Sequence, residues 1–544
     1  MMARYRGKTN CPDCNGTRLR PDSKHVLINN VSINDLVEMP IKKLIVFFEK
    51  VKLTKAEQQI AKRLLTEINN RLHFMQHVGL EYLTINRLSA SLSGGETQRI
   101  HLTRSLGSNL TNSMYILDEP SIGLHPRDTQ RLIKVMRQLR DLGNTVIVVE
   151  HEEEVIRSAD YIIDMGPLAG ALGGEVIFYG DSKEILTSKT SLTGEYLTGK
   201  KKIDLPLQRR RSFNKLFIKG AEANNLKNID VEIPLQGITV VSGVSGSGKT
   251  SLIKNILYPA LQRKIEKVGQ APGKHKSLEG DVDYIKQVEM IDQQPLGRSS
   301  RSNPVTYIKA YDAIRKLFSD HKLSKVRGYK PKHFSFNVEG GRCETCKGDG
   351  EIVVEMQFLA DVHLVCDECE GKRFKPDVLE VKYNKKNIFD VLSMTVDEAL
   401  IFFEPIKEVF NKIKPLQDVG LGYVGLGQSS STLSGGEAQR VKLASFLGKG
   451  ISHNKILFIF DEPTTGLHFN DIHKLLKAFN ALVENGHGIV VIEHNMDIIK
   501  CADWIIDLGP EGGEDGGYLL YQGQPEGLLK VKKSYTAKFL AEKL

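Results

Sequence analysis

The segment GITVVSGVSGSGKTSLIKNILYPAL, residues 237–261, decides the fold of this chain. An apolar strand, ITVVS, leads into a glycine-rich loop, and an apolar helical pattern follows the loop. In such a loop the glycines let backbone N–H groups approach phosphate oxygens, the lysine reaches the β and γ oxygens, and the next hydroxyl can ligate Mg²⁺. We therefore predict an α/β protein with a nucleotide-binding loop, whose ATP contacts are Gly243, Ser245, Gly246, Gly248, Lys249, Thr250 and Ser251.

Other motifs occur twice in the chain. The first copy reads LSGGETQR, LDEPSIGLH and VVEH, and the second reads LSGGEAQR, FDEPTTGLH and VIEH. Gly94, Asp118 and His151 of the first copy recur 341, 343 and 343 residues later. So constant an offset indicates an internal duplication. Because the glycine-rich loop occurs only in the second copy, the sequence predicts one complete site and one incomplete site.

Glu462, His494 and Gln293 join Lys249 as candidates for catalysis, and Asp461 is a candidate Mg²⁺ ligand beside them. Asp461 and Glu462 follow the apolar strand ILFIF, so one carboxylate is predicted to hold Mg²⁺ through water and the other to polarise the attacking water; paired buried acids can also be structural. His494 ends the strand GIVVIEH, where an imidazole can sense the γ-phosphate, with an ordinary strand-end histidine as the alternative. Gln293 is a candidate contact to Mg²⁺ and water, and neighbouring Gln294 is the alternative.

Six of the seven cysteines form three Cys-x-x-Cys pairs. In a reducing compartment such pairs are more often metal ligands or redox centres than disulfides. Two pairs lie in glycine-bearing turns, GGRCETCKGDG and LVCDECEGKRF, and the intervening EIVVEMQFLADVHL has the pattern of a β-hairpin. We therefore predict a tetrahedral Zn²⁺ site, with reduced surface thiols as the alternative. Its predicted ligands are Cys343, Cys346, Cys366 and Cys369.

The third pair, Cys11 and Cys14, aligns with Cys366 and Cys369 when the duplicated segments are superposed. Nothing in the ten residues before Cys11 matches the other two ligands. We therefore expect this pair to bind zinc weakly, if at all, unless another chain completes it.

Composition and charge set broader limits. A chain of 544 residues exceeds what one hydrophobic core usually holds, so two or more domains are expected. The net charge of +9 is compatible with a polyanionic partner but is modest for this length. No apolar run approaches the roughly 20 residues needed to cross a bilayer, and no signal peptide is evident, so we expect a cytoplasmic protein with no membrane partner.

The duplication predicts where the domains lie. Residues 1–190 are predicted to form part of a first unit, with the cysteine pair, the LSGGE segment and the acidic and histidine strands. Residues 191–214 have the character of a linker, and its basic run from Arg209 to Arg211 is interpreted as a solvated tether, with phosphate contact as the alternative. A complete second unit is predicted at 215–544, with a zinc hairpin at about 327–375 and a helical domain at about 376–450.

These motifs carry a resemblance to a known family. LSGGE-x-QR, DEP-x-x-GLH and the terminal EH resemble the signature, Walker B and switch elements of ABC-type ATPases. The stretches GVSGSGKTSL, IDQQPLGR, RSNPVTY, RGYKPKHFSFNVEGGRCETCKGDG and ADWIIDLGPEGG are similar to the UvrA family, the damage-recognition ATPases of bacterial nucleotide excision repair. The similarity covers nearly the whole chain.

The resemblance implies tandem ABC-type heads with inserted helical signature and zinc-binding domains, the first head being incomplete. It also implies that each nucleotide lies between the loop of one head and the signature of the other, so that Ser93, Gly94 and Gly95 close the Lys249 site. ATP, Mg²⁺ and Zn²⁺ are the implied cofactors, and duplex DNA with lesions is the implied ligand of a homodimer. Basic residues near the cysteines are candidates for DNA contact, with a merely solvated surface as the alternative: Lys347, Lys372, Arg373 and Lys375.

The chain departs from this family at its front end. A first phosphate loop, the first half of the first zinc site and the region that docks the UvrB partner do not precede Cys11, so docking of a UvrB-like partner is doubtful. We expect a truncated gene, a split gene or an expressed fragment. The leading interpretation is a DNA-repair ATPase with one complete composite site. The alternatives are a non-catalytic DNA-binding remnant and a soluble ABC ATPase paralogue with a protective or ribosome-associated role.

Overall fold

A computed structural model gives the fold. The residues that it describes are 11–14, 16–89, 92, 94–106, 111–297, 301–354, 356, 361–448 and 454–544. We call residues up to 190 the first unit, 191–214 the connecting segment and 215–544 the second unit. Of the helices in the described ranges, none has both the length and the apolar character that a membrane crossing requires.

The first unit and the connecting segment alternate short strands with helices. In chain order their elements are β1 (Leu27–Ile28), β2 (Val31–Ser32), α1 (Ile33–Glu38), α2 (Ile41–Glu49), α3 (Lys55–His77), α4 (Gly94–Leu106), β3 (Met114–Asp118), α5 (Pro126–Asp141), β4 (Thr145–Val149), α6 (Glu153–Ser158), β5 (Tyr161–Gly166), β6 (Glu175–Asp181) and α7 (Leu192–Leu197).

The second unit begins with strands and places its helical insertion between two strands of the main sheet. Its elements up to the end of the β12-β13 hairpin are β7 (Lys215–Ala221), β8 (Ile229–Pro234), β9 (Ile238–Gly243), α8 (Tyr258–Leu261), β10 (Ser277–Gly280), β11 (Gln287–Ile291), α9 (Pro304–Tyr307), α10 (Ala310–Ser319), α11 (Lys322–Val326), β12 (Glu351–Val354) and β13 (Val362–Val365). The remainder are α12 (Pro376–Leu379), α13 (Ile388–Ser393), α14 (Val396–Phe402), α15 (Lys407–Asp418), α16 (Gly435–Leu447), β14 (Ile456–Asp461), α17 (Phe469–Glu484), β15 (Gly488–Ile492), α18 (Met496–Cys501), β16 (Trp504–Gly509), β17 (Tyr518–Gly523), α19 (Pro525–Leu528) and α20 (Tyr535–Leu540).

A six-stranded sheet forms the centre of the second unit, in the order β11-β14-β15-β9-β16-β17. Adjacent strands of this sheet are parallel, except that β16 and β17 are antiparallel. Every residue of β9 and β15 is buried, as expected when helices or a second sheet cover both faces of a parallel sheet. The loop after β9 therefore emerges at the same edge as the ends of β14 and β15, where ligands of such sheets bind.

The helix after this loop, predicted from sequence, is present. It begins as a π-helical segment, Ser251–Leu257, continues through α8 and ends as a second π-helical segment, Gln262–Glu266. Its apolar side packs on the central sheet and on the antiparallel sheet β10-β7-β8, in one buried cluster that includes Leu252, Ile253 and Ile256.

The LSGGE segment of the second copy forms the start of α16. The Ser434 hydroxyl accepts the backbone N–H of Glu437, and the Glu437 carboxylate accepts the N–H of Ser434 at 2.8 Å. This reciprocal pair is a capping box, which explains why serine and glutamate stand three residues apart. The backbone N–H groups at such a helix start can bind an anion.

Besides the short pair β1-β2, the first unit has two separate strand pairs, parallel β3-β4 and antiparallel β5-β6. By the offset of 343 these correspond to β14-β15 and β16-β17, which β9 joins in the second unit. No strand among the described residues joins them in the first unit. Alternate residues of β3 and β4 are exposed, whereas β14 and β15 are almost entirely buried. The apolar side chains left exposed on these strands include Met114, Ile116, Ile147, Val149 and Ile163.

The connecting segment is not a solvated tether. Its helix α7 buries Leu197, and Arg209 donates to the Ala502 carbonyl at 2.9 Å and pairs with Glu526 at 2.8 Å. Arg210 pairs with Asp503 at 3.3 Å. The prediction of a solvated basic run is therefore wrong for Arg209 and Arg210, because carboxylates of the second unit neutralise them. The limits of the domains stay predictions.

Candidate functional site

The glycine-rich loop runs from the end of β9 to the helix that starts at Ser251. Gly243 and Gly248 have φ angles of +131° and +108°, which favour glycine. A Cβ on Gly243 would lie 2.0 Å from the Leu508 carbonyl oxygen, so no larger residue fits there. The hydroxyls of Ser245 and Ser247 are buried and find no hydrogen-bond partner among the described residues.

Lys249 is buried and turned back onto its own loop. Its Nζ donates to the carbonyl oxygens of Gly243 and Val244, both at 2.9 Å. Burial lowers the pKa of Lys249 to about 8. A buried cation whose hydrogen bonds, among the described residues, go to carbonyl oxygens is suited to meet an incoming anion.

The two acids predicted to act together lie at the end of β14. Asp461 pairs with Lys254, whose Nζ lies 2.5 Å from Oδ2. Thr250, the other predicted Mg²⁺ ligand, has an exposed side chain. Lys254 was not among the predicted site residues, although its position one helical turn after Thr250 places it on the same side of the helix.

Glu462 and His494 lie close together beneath the loop. Burial, and next the charge of Asp461, raise the pKa of Glu462 to about 7. His494 Nε2 lies 3.9 Å from Glu462 Oε1. Burial, followed by the charge of Lys249, holds the pKa of His494 well below its ordinary value. The ring is therefore neutral, and its Nδ1 has no hydrogen-bond partner among the described residues.

Gln293 lies beside the turn that follows Glu462. Its Nε2 donates to the Glu462 carbonyl at 3.2 Å and to the Thr465 hydroxyl at 3.0 Å. The neighbouring Gln294 is exposed. The structure therefore brings Gln293, and not Gln294, to the acidic turn, while its contact with Mg²⁺ stays a prediction.

The glutamate before each switch histidine was missed by the sequence reasoning. The Glu493 carboxylate accepts the backbone N–H groups of Thr464 at 3.0 Å, His494 at 2.6 Å and Asn495 at 2.9 Å. Glu150 of the first copy accepts the equivalent N–H groups of Ser121, His151 and Glu152. Each glutamate thus ties the turn after the acidic strand to the switch histidine, a role that the repeated EH dipeptide could have indicated.

The first unit covers the loop of the second unit. A Cβ on Gly246 would lie 3.0 Å from the Tyr82 ring, so that ring packs directly on the loop. Gly123 faces Glu462, where a Cβ would lie 2.7 Å from Oε2. These contacts place a tyrosine and the GLH turn of the first copy against the predicted ATP contacts of the second.

The first-copy signature lies at the start of α4. Gly94 begins this helix, and a Cβ on Gly95 would lie 2.4 Å from the Ile122 carbonyl oxygen. Ser93 lies outside the described residues. Within the described chain, Nε and Nη1 of the buried Arg99 lack hydrogen-bond partners. Arg99 therefore offers a cationic hydrogen-bond donor on the signature helix, and the sequence analysis gave it no role.

The equivalent cluster of the first unit contains acidic residues, but no glycine-rich loop of that unit lies beside them among the described residues. Glu119 and Gly466 face each other as Glu462 and Gly123 do, with a Cβ on Gly466 lying 3.0 Å from Glu119 Oε1. Burial raises the pKa of Glu119. His151 Nε2 lies 3.8 Å from Glu119 Oε1. The described part of the first unit offers no glycine-rich loop to this cluster.

The four predicted metal ligands lie together in a second site. Their Sγ atoms all lie within 4.8 Å of one another, with Cys343 and Cys366 at 3.9 Å and Cys346 and Cys369 at 3.6 Å. The hairpin β12-β13 separates the two pairs, as predicted. Cys11 and Cys14 do not belong to a cluster of this kind among the described residues.

Both sites suit the groups that the sequence predicts. Tetrahedral ligation with Zn–S bonds of ~2.3 Å needs sulfurs ~3.8 Å apart, close to the distances observed here. At the loop, the unpaired Ser245 and Ser247 hydroxyls and the Lys249 ammonium match the oxygens of a triphosphate. Thr250 and Asp461 supply the oxygen ligands that Mg²⁺ prefers, provided that Lys254 leaves Asp461.

Comparison with known proteins gives a consistent result. UvrABC system protein A of Staphylococcus aureus strain MRSA252 is 52% identical over 545 residues, which is 100% of this chain and 57% of the relative. The protein of that name from Staphylococcus epidermidis strain ATCC 35984 is 52% identical over 541 residues, 99% of this chain and 57% of the relative. The crystal structure of UvrA2 from Deinococcus radiodurans matches with a TM-score of 0.91 and 40% identity, covering 98% of this chain and 66% of that one. No protein-family model matches the chain.

The chain is UvrA-like over its full length and corresponds to the C-terminal part of these longer relatives. It has the α/β P-loop fold of ABC-type ATPases, so the predicted fold class is confirmed. It spans 57% of the length of the staphylococcal proteins that it matches.

Proposed function

We propose that this UvrA-like chain hydrolyses ATP at one composite site, formed by the loop of the second unit and the signature region of the first. The observation that carries the proposal is the contact between units within one chain. Tyr82 packs on Gly246 of the loop, and Gly123 faces the Glu462 carboxylate. Both halves that an ABC-type site needs therefore come from the same polypeptide.

ATP binding would exchange present contacts of Lys249 and Asp461 for contacts with phosphate and Mg²⁺. Backbone N–H groups of the loop would surround the phosphates, and Lys249 would exchange the carbonyls of Gly243 and Val244 for phosphate oxygens. Thr250 and Asp461 would hold Mg²⁺, which neutralises charge on the β and γ oxygens. For this Asp461 must give up its ion pair with Lys254.

Glu462 is the proposed base for the attacking water. A carboxyl group with a pKa of about 7 holds and releases a proton near neutral pH, as a general base requires. His494 is neutral and lies 3.9 Å from Glu462, so its ring can donate a hydrogen bond to the γ-phosphate without competing as a base. Gln293 supports the turn of Glu462 through the backbone carbonyl.

Zinc is the proposed occupant of the cysteine cluster. Four buried thiols form this cluster, without a carboxylate ligand among the described residues, as in a closed site of structural type. The Gly350 N–H donates to Cys346 Sγ at 3.3 Å, a contact that stabilises a thiolate. The metal would hold together the two turns that carry the β12-β13 hairpin.

Duplex DNA with lesions is the proposed ligand, and this part of the proposal rests mainly on similarity to UvrA proteins. Among the basic residues near the cysteines, Lys347 is exposed, whereas Lys372 pairs with Glu370 and Lys375 with Glu344, each at 2.5 Å. Exposed ion pairs exchange easily for phosphate contacts. Homodimer formation, a cytoplasmic location and doubtful docking of a UvrB-like partner stay predictions.

A non-catalytic DNA-binding remnant is the second candidate. The observation that favours it is the split first-unit sheet, whose apolar strands β3 and β4 leave alternate residues exposed. If the first unit did not pack stably on the second, its signature region would not cover the nucleotide bound at the loop, and hydrolysis would fail. The ribosome-associated alternative receives no support from a specific contact.

Steady-state ATP hydrolysis by the purified chain, with and without damaged duplex, tests the proposal. Wild type should hydrolyse ATP and Lys249→Ala should not, because the only loop of the described chain loses its phosphate-binding cation. Absence of hydrolysis in both proteins, with DNA binding intact, would favour the remnant.

A further inference from the structure

His125, in the GLH turn of the first copy, connects the two units through a buried polar contact. The side chain is fully buried, and its Nε2 lies 3.2 Å from the Thr536 hydroxyl of α20. Its counterpart 343 residues later, His468, makes the reciprocal contact with the Thr193 hydroxyl of α7, also at 3.2 Å. The duplication has thus produced two equivalent histidine–threonine contacts, which we call crossings. One joins the first unit to the second, and the other joins the connecting segment to the second unit.

The hydrogen bonds around His125 determine which atom donates and which accepts at each step from His125 to Asp507. Nδ1 accepts the backbone N–H of Arg127 at 3.2 Å and therefore carries no proton in the neutral ring. Burial, with the charge of Lys249 next, holds the pKa of His125 well below its ordinary value, so the ring is neutral. Nε2–H therefore donates to Thr536, whose hydroxyl donates to Asp507 Oδ1 at 2.9 Å.

Only the His125 crossing reaches the phosphate loop. Asp507 also accepts the Ser242 hydroxyl at 2.8 Å, and Ser242 is the last residue of β9 before the loop glycine Gly243. In the other crossing, Thr193 donates to Asp164 at 3.0 Å and Ser191 does so at 2.5 Å, but the first unit has no described strand equivalent to β9.

The two histidines also differ in what their rings touch. The His125 ring meets the His494 ring edge to face, with centroids 5.9 Å apart and planes at 86°. The His468 ring packs edge to face on Phe469 and on Tyr196, whose counterpart Phe539 packs in the same way on the His125 ring. His125 is thus in contact with the switch histidine of the complete site and hydrogen-bonded, through two side chains, to the strand that carries its loop.

We propose that His125 is a positioning residue for ATP hydrolysis. Through His125, the geometry of His494 and of the phosphate loop depends on how the first unit packs against the second. The inference rests on the proposed ATPase activity and adds a specific route between the units. His468 is the matched comparison, since it makes the same contact on the side without a loop. A merely structural role would make both crossings equally important.

The first test replaces the central hydroxyl of each crossing. Thr536→Val and Thr193→Val keep the side-chain shape and remove the group that joins histidine to aspartate. Thr536→Val should lower kcat about tenfold or more, with the KM for ATP changed less than about twofold, because the site still binds nucleotide but holds His494 less accurately. Thr193→Val should leave kcat near wild type, and the two variants should lose similar amounts of Tm. Equal kcat losses, or none in Thr536→Val, would overturn the inference.

The second test does not depend on turnover. Hydrogen exchange with and without a non-hydrolysable ATP analogue should show protection of residues 243–251 and of α5, whose first turn His125 caps. Thr536→Val should keep the protection of 243–251 and lose that of α5, whereas Thr193→Val should keep both. If wild type shows no protection of 243–251, the proposed function fails. If 243–251 is protected and α5 is not, the inference alone fails.

Discussion

Gly123 faces the Glu462 carboxylate across the contact between the two units, with a built Cβ lying only 2.7 Å from Oε2. Gly466 faces Glu119 in the reciprocal position, at 3.0 Å from Oε1. The proposed base of the complete site is thus enclosed by a glycine of the other unit. Space at this glycine is needed for the carboxylate to hold its place.

Replacing Gly123 by alanine should therefore reduce hydrolysis. The new methyl group displaces the Glu462 carboxylate, and we expect kcat to fall about tenfold or more. The φ of +65° adds strain that lowers stability by roughly 1 kcal/mol. Steady-state kinetics and thermal denaturation measure the two effects separately.

Gly466→Ala is the matched control for Gly123→Ala. Its φ of +67° imposes the same strain, and its Cβ meets Glu119 of the site that has no loop. It should lose a similar amount of stability and keep nearly all of its activity. A comparable fall in kcat for both variants would contradict the assignment of Glu462, and not Glu119, to the working site.

Glu462→Gln should bind ATP and fail to hydrolyse it. Because the base acts deprotonated, wild-type kcat should rise with pH through about 7, the pKa to which burial raises the Glu462 carboxyl. The variant should show no such rise. A wild-type profile that is flat from pH 6 to 8 would argue against Glu462 as the base.

The same group predicts the pH dependence of stability. A carboxyl whose pKa is raised by folding contributes most below its unfolded pKa, near 4.5, and loses that contribution as pH rises through about 7. The free energy of unfolding of wild type, relative to Glu462→Gln, should therefore decrease from about pH 4.5 to about pH 7. Denaturant unfolding at several pH values measures this difference.

The cysteine cluster predicts about one zinc ion per chain. Cys366→Ser removes a buried ligand and should lose the metal, whereas Cys11→Ser, which alters the pair outside the cluster, should keep it. Metal analysis of purified protein gives the stoichiometry. Damaged-DNA binding by Cys366→Ser should lose its preference over intact duplex. Two ions in wild type would mean that Cys11 and Cys14 have found further ligands.

Local sequence pattern was sufficient for the loop, the acidic strand and the cysteine cluster. Each of these depends on residues close in sequence or on a short hairpin, so an apolar strand before GVSGSGKT and two Cys-x-x-Cys turns indicate their own geometry. The repeat also predicted correctly that β14 and β15 would have counterparts in β3 and β4.

Contacts between the units could not be predicted from these patterns. Tyr82, Gly123 and His125 meet the second unit at separations of more than a hundred residues, and none belongs to a motif that specifies its partner. Arg209 looked like part of a solvated basic run because its partner, Glu526, lies 317 residues away. The duplication identified equivalent residues, but only the fold shows which of them touch the single loop.

The number of nucleotides bound per chain tests the central claim most directly. Equilibrium binding of a non-hydrolysable ATP analogue to wild type should give about one nucleotide per chain, because one loop is present and the first unit completes it. Lys249→Ala should reduce this to nearly zero. Binding of about two nucleotides in wild type, or undiminished binding by Lys249→Ala, would contradict a single composite site centred on Lys249.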